Sequence, residues 1–386
     1  MKTKNKLLLT ALSCLIIGAV AYFAWMFPFY EFENNSYDIS FAKLFSLEYL
    51  KTLVPLFLIA VFSAIGIAAI LWLRRLMLKT DRNYARFADR RRKSAKALKQ
   101  KPVPFMIVRW GSMIVFAFLM IWGGLLFGLR MASISIPLLS CPWNTEQMTE
   151  SSCYYLSHLN ELFELPVKSI LLFVGSTLLF TVLLGRAICG FLCPMGLIQD
   201  IMDKIRRTTR ADGISANEKH YAALTPVKWA MVLVFLGLCF LGGNFCNFCP
   251  AVAVSPILAG MSTSLYVSGF LMIFVLIGGF FKRRLFCNIC PLGYLIGLFH
   301  KISLFRIRKD CTACTECGAC YEACPMGIKT IYTERGRADV TEANCILCGE
   351  CVRCCPEDKA LSLTCAGLTL YTSSRRDILS GYTPKK

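Results

Sequence analysis

Ionisable side chains are scarce in this chain of 386 residues. Only 17% of the residues are charged and three are histidines, whereas 56% are hydrophobic and the mean hydropathy is +0.54. Intrinsic disorder is excluded, because disordered chains combine low hydrophobicity with abundant charge. A soluble globule of this length cannot bury so much apolar surface, so we expect lipid to surround part of the molecule.

The few ionisable groups also avoid the long apolar segments of the sequence. His158, His220 and His300 all lie outside those segments. This excludes a haem held by paired histidines inside a bilayer. Proton-translocating proteins need buried carboxylates or histidines as relays, and these segments contain neither, so proton transport is not expected.

Six apolar segments of roughly 19 to 23 residues are long enough to cross a ~30 Å hydrocarbon core as helices. They are 7–29, 53–73, 110–129, 167–188, 227–248 and 263–281. We interpret the first as a retained anchor instead of a signal peptide. Its apolar run is long, and Phe27-Pro28-Phe29-Tyr30 follows it in place of a small-residue cleavage site.

The segments between these apolar runs alternate in charge. Residues 74–101 carry twelve Lys or Arg, and 203–228 is also basic, whereas 30–52 and 130–166 have an acidic excess. Basic loops stay on the cytoplasmic side, so both termini are predicted to be cytoplasmic. The net charge of +19 is then mainly a topology signal, and nucleic acid is not an expected partner.

Twenty-one cysteines are present, and ten of them cluster near the C-terminus. The pattern Cys-x2-Cys-x2-Cys-x3-Cys-Pro occurs twice, ending at Pro325 and at Pro356. In two-cluster ferredoxins, three cysteines of one loop bind one cubane and the fourth, before proline, binds the other. We predict two [4Fe-4S] clusters, the first held by Cys314, Cys317, Cys320 and Cys355 and the second by Cys324, Cys345, Cys348 and Cys351. Structural zinc is disfavoured, because it prefers two well-separated ligand pairs.

Five other cysteines are given no ligand role. Cys311, Cys354 and Cys365 are interpreted as spare thiols, and Cys14 and Cys239 as core packing. Between the two motifs, residues 328–332 and 338–340 flank Arg335-Gly336 and are predicted to form a hairpin.

Two cysteine pairs leave the predicted cytoplasmic ends of the fourth and sixth apolar segments. Each pair ends in Cys-Pro-x-Gly, with Gly196 closing the first motif and Gly293 the second. Four thiolates thus converge on one membrane face. We predict that they hold a third iron–sulfur cluster, with ligands Cys189, Cys193, Cys287 and Cys290. The alternative is that they are reduced structural cysteines.

A last set of cysteines is predicted at the outer face. Cys246 and Cys249 end the fifth apolar segment, and Cys141 and Cys153 lie in the loop before the fourth. These four could ligate an outer-face iron–sulfur cluster. The alternative is a disulfide between Cys141 and Cys153, with Cys246 and Cys249 paired or free, because an oxidising compartment favours disulfides.

These features predict an all-α membrane bundle of about six transmembrane helices plus a small α+β domain of the two-cluster bacterial-ferredoxin type. We expect a transmembrane hairpin with a basic loop at 1–101, a four-helix membrane core at 102–304, a cytoplasmic ferredoxin-like domain at 305–365 and a tail at 366–386. The expected location is the cell (inner) membrane, crossed several times.

Residues 105 to 365 resemble the membrane polyferredoxins related to NapH, which include the core of NosR and CcoG. The resemblance is carried by the later Cys-Pro pairs, by the tandem motif ending in Pro356, and by the run Cys189-Gly190-Phe191-Leu192-Cys193-Pro194-Met195-Gly196. It implies electron transfer between a cytoplasmic or quinone donor and a redox partner at or beyond the membrane. The NosR-type Ser/Thr-Gly-Ala-Thr segment is absent, so no covalent flavin is expected. The tail at 366–386 is shorter than the extracytoplasmic domain of CcoG.

Three functions are compatible with this resemblance. The first is an electron-transfer subunit of an oxidoreductase system, with quinone or another redox protein as partner. The second, suggested by CcoG, is copper-ion reduction or metallocentre assembly, although the 14 methionines are scattered through apolar segments. The third is a redox sensor or scaffold. Arg109 and Trp110 could border a quinone head, but interfacial anchoring is preferred for them, and Arg186 is expected to snorkel.

Overall fold

The computed structural model describes residues 47–80, 104–127, 167–209, 218–240, 249–258 and 266–374. The helices of its N-terminal, apolar part are α1 Leu47–Thr52, α2 Val54–Thr80, α3 Pro104–Phe127, α4 Val167–Leu184, α5 Ala187–Phe191, α6 Pro194–Thr208, α7 Glu218–Phe240, α8 Ser255–Leu258, α9 Tyr266–Phe281, α10 Leu285–Ile289 and α11 Pro291–Leu298. Short 3-10 helices cover Pro250–Ala253 and Phe299–Lys301. The first predicted span, 7–29, lies outside the described residues.

The long apolar helices occur where five of the six spans were predicted, but their lengths differ. Among the described residues, one helical stretch, Tyr49–Leu76, is long and apolar enough to cross a membrane. Three further apolar stretches are shorter: Phe105–Phe118, Leu224–Leu238 and Val267–Phe281. Six transmembrane helices therefore stay a prediction.

Helix α9 is central to the described bundle and packs against α2 and α6. Its buried side chains Met272, Ile273 and Val275 form one core cluster with Ile59 of α2. Gly66 allows α2 to approach α9 closely, because a Cβ there would lie only 2.7 Å from Ile277 Cδ1. The packing fixes the end of α9, from which the second Cys-Pro motif follows.

The C-terminal part is built on a three-stranded antiparallel sheet in the order β1 Phe305–Lys309, β2 Leu361–Cys365, β3 Leu368–Thr372. Its short helices are α12 Ala319–Ala323, α13 Thr330–Thr333 and α14 Glu350–Cys354. Phe305 lies opposite Cys365 in the register of β1 and β2. Ile307 and Leu363 are fully buried in a core shared with the cysteine loops. The sheet continues past residue 365, into the segment assigned above to the tail.

The hairpin predicted between the two cysteine motifs is wrong. Residues 330–333 form helix α13, and residues 338–340 lie along β1 instead. The Val340 N–H donates to the Ile307 carbonyl at 2.9 Å, and the Lys309 N–H donates to the Ala338 carbonyl at 2.6 Å. Residues 338–340 thus pair with the edge of β1, a partner distant in sequence that the local turn pattern could not indicate.

Candidate metal centres

The two ferredoxin-type cysteine loops have the same backbone conformation. In each Cys-x2-Cys segment the residue before the second cysteine has positive φ, at +56° for Glu316 and +53° for Leu347. The glycine after that cysteine is also left-handed, at +74° for Gly318 and +71° for Gly349. A short helix then begins, and carries the third cysteine of each motif. Two left-handed residues, one on each side of the second cysteine, turn the loop inward, which suits the enclosure of a bound group.

The first predicted ligand set converges on one cavity. Cys314, Cys317, Cys320 and Cys355 all line it, although Cys355 comes from the second motif. Burial raises the pKa of the Cys355 thiol to about 11, and Cys317 and Cys314 contribute in the same direction. Cys355, the cysteine before Pro356, therefore lies beside the loop of the first motif, and its role as a ligand there stays a prediction.

The second predicted set shows the reciprocal crossing. Burial raises the pKa of Cys324 to about 11, and the nearby Cys348 raises it further, while backbone N–H groups of residues 326–328 lower it. Burial also raises the pKa of Cys351, with Cys348, Cys345 and Cys324 as the next causes. Cys324 therefore lies among the cysteines of the second motif.

The third predicted set also converges, at the start of the two Cys-Pro helices. Cys193 precedes α6 and Cys290 precedes α11, each followed by proline in the first turn. Burial raises the pKa of Cys193 to about 12, with Cys189 and Cys287 adding to the effect. Burial also raises the pKa of Cys290. Cys189, Cys287 and Cys193 raise this pKa further, whereas the Gly293 N–H lowers it. The sulfur of Cys290 accepts the Gly293 N–H at 3.5 Å.

No group of three His, Cys, Asp or Glu side chains in the described ranges is placed to hold a single metal ion. One tetrahedral ion needs its sulfurs at about 2.3 Å from a common centre. A cubane bears its irons at separate corners, so its ligands stand farther apart. A cubane therefore does not require the close grouping of ligands that a single ion needs.

A network of buried charges lies beside the third set. Asp200 of α6 accepts hydrogen bonds from Arg109 at 2.6 Å, from Arg283 at 2.9 Å and from Arg284 at 2.6 Å. Burial alone would raise the pKa of Asp200, but these three guanidinium groups hold it well below its usual range. Glu350, next to Cys351, accepts a hydrogen bond from Arg283 at 2.8 Å. The network thus joins the apolar bundle to the ferredoxin-like part.

The predicted surface positions of Arg109 and Arg186 are wrong. Their exposed fractions are 0% and 1%. Arg109 Nε donates to the Gly190 carbonyl at 3.0 Å, and Arg186 Nη1 donates to the Ala343 carbonyl at 2.9 Å. The helix ends that sequence alone placed at a lipid interface are covered by α6 and by the ferredoxin-like part, so these side chains bind protein.

Two glycines allow the second and third sets to lie side by side. A Cβ at Gly190, next to Cys189, would collide with the Ile346 carbonyl and lie 3.5 Å from the Cys348 backbone. A Cβ at Gly297 of α11 would collide with the Ala343 carbonyl. The loop of the second set therefore contacts the backbone of the third set directly.

The charges around the third set fit an anionic group. The guanidinium groups of Arg109, Arg283 and Arg284 are paired with the carboxylates of Asp200, Asp203 and Glu350. Arg186 is buried beside them, and the described residues place no carboxylate within ion-pair distance of it. Arg186 Nε has no hydrogen-bond acceptor among the described residues, whereas Arg109 Nη1 lies 3.6 Å from Glu350 Oε1. Buried cations need a compensating charge. Four thiolates around iron would supply it, so the residues present fit an iron–sulfur cluster.

The outer-face set cannot be assembled from the described residues. Cys249 lies just before the 3-10 helix Pro250–Ala253, whereas Cys141, Cys153 and Cys246 fall outside the described ranges. Both the outer cluster and the alternative disulfide stay predictions. Of the spare thiols, Cys354 is buried and its Sγ lies 3.4 Å from the Ala319 carbonyl.

Two 4Fe–4S family models match the chain. One described as "4Fe-4S binding domain" matches residues 168–211 and 263–310, and one described as "4Fe-4S dicluster domain" matches 310–361. The first matched range contains the third cysteine set, and the second contains the eight ferredoxin-type cysteines. The molecule is therefore an iron–sulfur protein.

Similar proteins place the chain in a family. It is 30% identical over 194 residues to an uncharacterized protein of Methanocaldococcus jannaschii, covering 48% of this chain and 75% of that protein. It is 28% identical over 190 residues to the ferredoxin-type protein NapH of Haemophilus influenzae (47% and 63%), and 27% identical over 168 residues to the methylamine utilization ferredoxin-type protein MauN of Paracoccus denitrificans (43% and 56%). The chain thus spans less than two thirds of NapH and of MauN. No solved structure matches. The chain belongs to the NapH/NosR family of polyferredoxins.

The charged residues that surround the third set could not be recognised from the cysteine motifs alone. Asp200, Arg284 and Glu350 received no role, and Gln199, whose Nε2 lies 3.5 Å from Cys287 Sγ, was overlooked. One signal was available. An arginine precedes the first cysteine of both Cys-Pro motifs by three residues, Arg186 before Cys189 and Arg284 before Cys287.

Proposed function

We propose that this protein passes electrons between a cytoplasmic donor or the quinone pool and a redox partner in or beyond the membrane. Three cysteine sets would act in line, the ferredoxin-type sets first and the Cys189, Cys193, Cys287, Cys290 set last. The observation that carries this proposal is the contact of Gly190 with Ile346 and Cys348. It brings the second and third sets to adjacent positions in one molecule.

The residues of the chain would bind, space and enclose the clusters. When bound, a [4Fe–4S] cluster carries one electron at a time and its potential responds to charge, hydrogen bonds and burial. Five of the eight cysteines of the second and third sets are buried, and Cys193, Cys290 and Cys324 are partly buried, so water has limited access to them. Glu350 and Asp200, through Arg283, fix the ferredoxin-like part on the bundle.

The membrane location is part of the proposal. Outward-facing apolar side chains on several helices support it, with Phe57, Val108, Leu171 and Leu233 each exposed by at least 67%. Apolar surface of this extent marks contact with lipid or with another protein. The cytoplasmic place of the ferredoxin-like part and the domain limits at 101 and 304 are proposed from the charge and composition of the sequence. The limit at 365 is wrong, because strand β3 extends the sheet of this part to Thr372. The described residues offer no observation that favours copper reduction.

The test is the iron and acid-labile sulfide content of anaerobically purified protein. Three occupied sets predict about twelve irons per chain, four for each cubane. The Cys290→Ser variant should lose about four of them, whereas Cys365→Ser, on strand β2, should lose none. About eight irons in the unmodified protein, unchanged in Cys290→Ser, would show that the third set is structural.

A second measurement addresses the acceptor. Dithionite-reduced protein in liposomes should be reoxidised by a menaquinone analogue if quinone exchanges electrons with it. Cys290→Ser should slow this reoxidation if the third set lies on the path. Absence of reoxidation in the unmodified protein would leave a protein acceptor.

A further inference from the structure

The two Cys-Pro motifs are related by more than their cysteines. Arg186 and Arg284 occupy the same place, three residues before Cys189 and Cys287, and both are buried. Arg284 has a left-handed backbone, with φ of +59°. A non-glycine residue rarely takes this conformation, so its side chain is held there by strong contacts.

Each of these arginines crosses to the other motif. Arg284 Nη1 donates to the Cys189 carbonyl at 2.7 Å, and Arg186 Nη2 donates to the Cys287 carbonyl at 3.0 Å. The glycine of the opposite Cys-Pro-x-Gly makes room. A Cβ at Gly196 would collide with the Arg284 guanidinium, and a Cβ at Gly293 would lie 3.1 Å from Arg186 Nη2. The arrangement is a reciprocal exchange of two guanidinium groups.

The two Cys-Pro motifs differ at one position that affects how these arginines are neutralised. Seven residues after the second cysteine, the first motif has Asp200 and the second has Gly297. Asp200 neutralises Arg284, with Oδ2 at 2.6 Å from Nη2. At Gly297 the Ala343 carbonyl approaches instead and accepts from Arg186 Nη1. In the part of the chain that the structure describes, Arg186 has no carboxylate within ion-pair distance.

Arg186 lies between the second and third cysteine sets. Its carbonyl partner Ala343 is two residues before Cys345, and its other partner is the backbone of Cys287. Burial raises the pKa of both Cys189 and Cys345, and the Arg186 charge acts on both thiols in the opposite direction. Buried charge acts strongly over such distances, because the surroundings screen it weakly.

We propose that Arg186 is a positioning residue that raises the reduction potential of the third set by placing an uncompensated positive charge beside it. The inference rests on the proposed function, since it requires a cluster at that set. The third set also receives side-chain donors, from Gln199 and Arg284 to Cys287 Sγ at 3.5 and 3.9 Å. Cys324 instead receives backbone N–H groups. Positive charge and hydrogen bonds to sulfur both favour the reduced state.

The test is a redox titration followed by EPR on Arg186→Gln, Arg186→Lys and the control Arg306→Gln. Arg306 is partly exposed and ion-paired with Asp339. The signal of the third set is the one that Cys290→Ser lacks. Arg186→Gln should lower its reduced-to-oxidised ratio at fixed potential at least tenfold, which is about 59 mV for one electron. Arg186→Lys and Arg306→Gln should stay close to the unmodified protein.

The outcomes separate the two proposals. If the unmodified protein holds only about eight irons, the proposed function fails before Arg186 is tested. If Arg186→Gln keeps about twelve irons and its potential is unchanged, the role of Arg186 is refuted while the third cluster stands. If Arg186→Gln loses iron, Arg186→Lys decides. If the third set of Arg186→Lys has a reduction potential near that of the unmodified protein, the role of the Arg186 charge is supported. If its reduced-to-oxidised ratio at fixed potential changes tenfold, that role is refuted.

Discussion

The ferredoxin-like part and the Cys-Pro region hold their cysteines by different means. In the ferredoxin-like loops the backbone conformation positions the cysteines, through pairs of left-handed residues such as Leu347 and Gly349. In the Cys-Pro region, the cysteines are positioned by buried side chains that come from distant segments. Arg109 and Asp200, for example, are hydrogen-bonded although they are 91 residues apart. A local loop tolerates change elsewhere in the chain, whereas a long-range charge network depends on every member. The two regions should therefore respond differently to substitution.

The largest effect is expected for Asp200→Asn. It leaves Arg109, Arg283 and Arg284 buried without their shared carboxylate, and removing one partner of a buried ion pair costs about 3–5 kcal/mol. Thermal unfolding in detergent should shift strongly, with loss of about four irons from the third set. The control Asp339→Asn removes a partly exposed carboxylate and should cost less than about 1 kcal/mol. Equal midpoints for both variants would contradict the central place of Asp200.

A smaller effect separates backbone strain from packing in the ferredoxin-like loops. Gly318→Ala adds a side chain at φ +74° with no atom within 4 Å, so strain alone should cost about 1–2 kcal/mol. Gly349→Ala has the same strain, but its Cβ would also lie 2.5 Å from Phe105 Cε1. Overpacking adds about 1–3 kcal/mol. Phe105 stacks on Tyr371 at 4.5 Å, so the ring has little freedom to move away.

Unfolding midpoints and iron content of the two alanine variants measure this difference. Adding Phe105→Leu should recover part of the loss in Gly349→Ala and none in Gly318→Ala. If both variants lose equal stability, and Phe105→Leu helps neither, then Phe105 does not fix the ferredoxin-like part on α3.

The contacts of the ferredoxin-like part could be predicted from sequence better than those of the Cys-Pro region, because the first are local in sequence and the second are long-range. The spacing of Cys314 to Pro325 encodes a local loop, so its ligand exchange with Cys355 could be inferred from motif knowledge alone. Convergence of Cys189 with Cys287 could be inferred from matched motif endings. The partners of Asp200 could not, because Arg109 lies on α3 and Arg283 and Arg284 just before α10. Their proximity to Asp200 depends on how these two segments pack against α6. The misplacement of Arg109 has this origin: a cation at a helix end indicates a lipid interface only if no protein covers it.

The smallest expected effect concerns the junction between the two regions. His300 is buried and its Nε2–H donates to the Val340 carbonyl at 2.8 Å, while Nδ1 has no partner among the described residues. Burial lowers the pKa of His300 below 6.5, the carbonyl of Val340 opposes this, and Arg186 and Arg306 lower it further.

Because the unfolded chain binds the proton more readily, the neutral His300 contributes its full stability above pH 6.5 and loses it as the pH falls below that value. The unfolding midpoint should therefore decline between pH 6.5 and 5.5, and His300→Gln, which can still donate to Val340, should decline less. Acid loss of iron affects both proteins equally, so the difference between their slopes isolates the histidine. Identical slopes would mean that the stability of the junction is insensitive to the charge of His300.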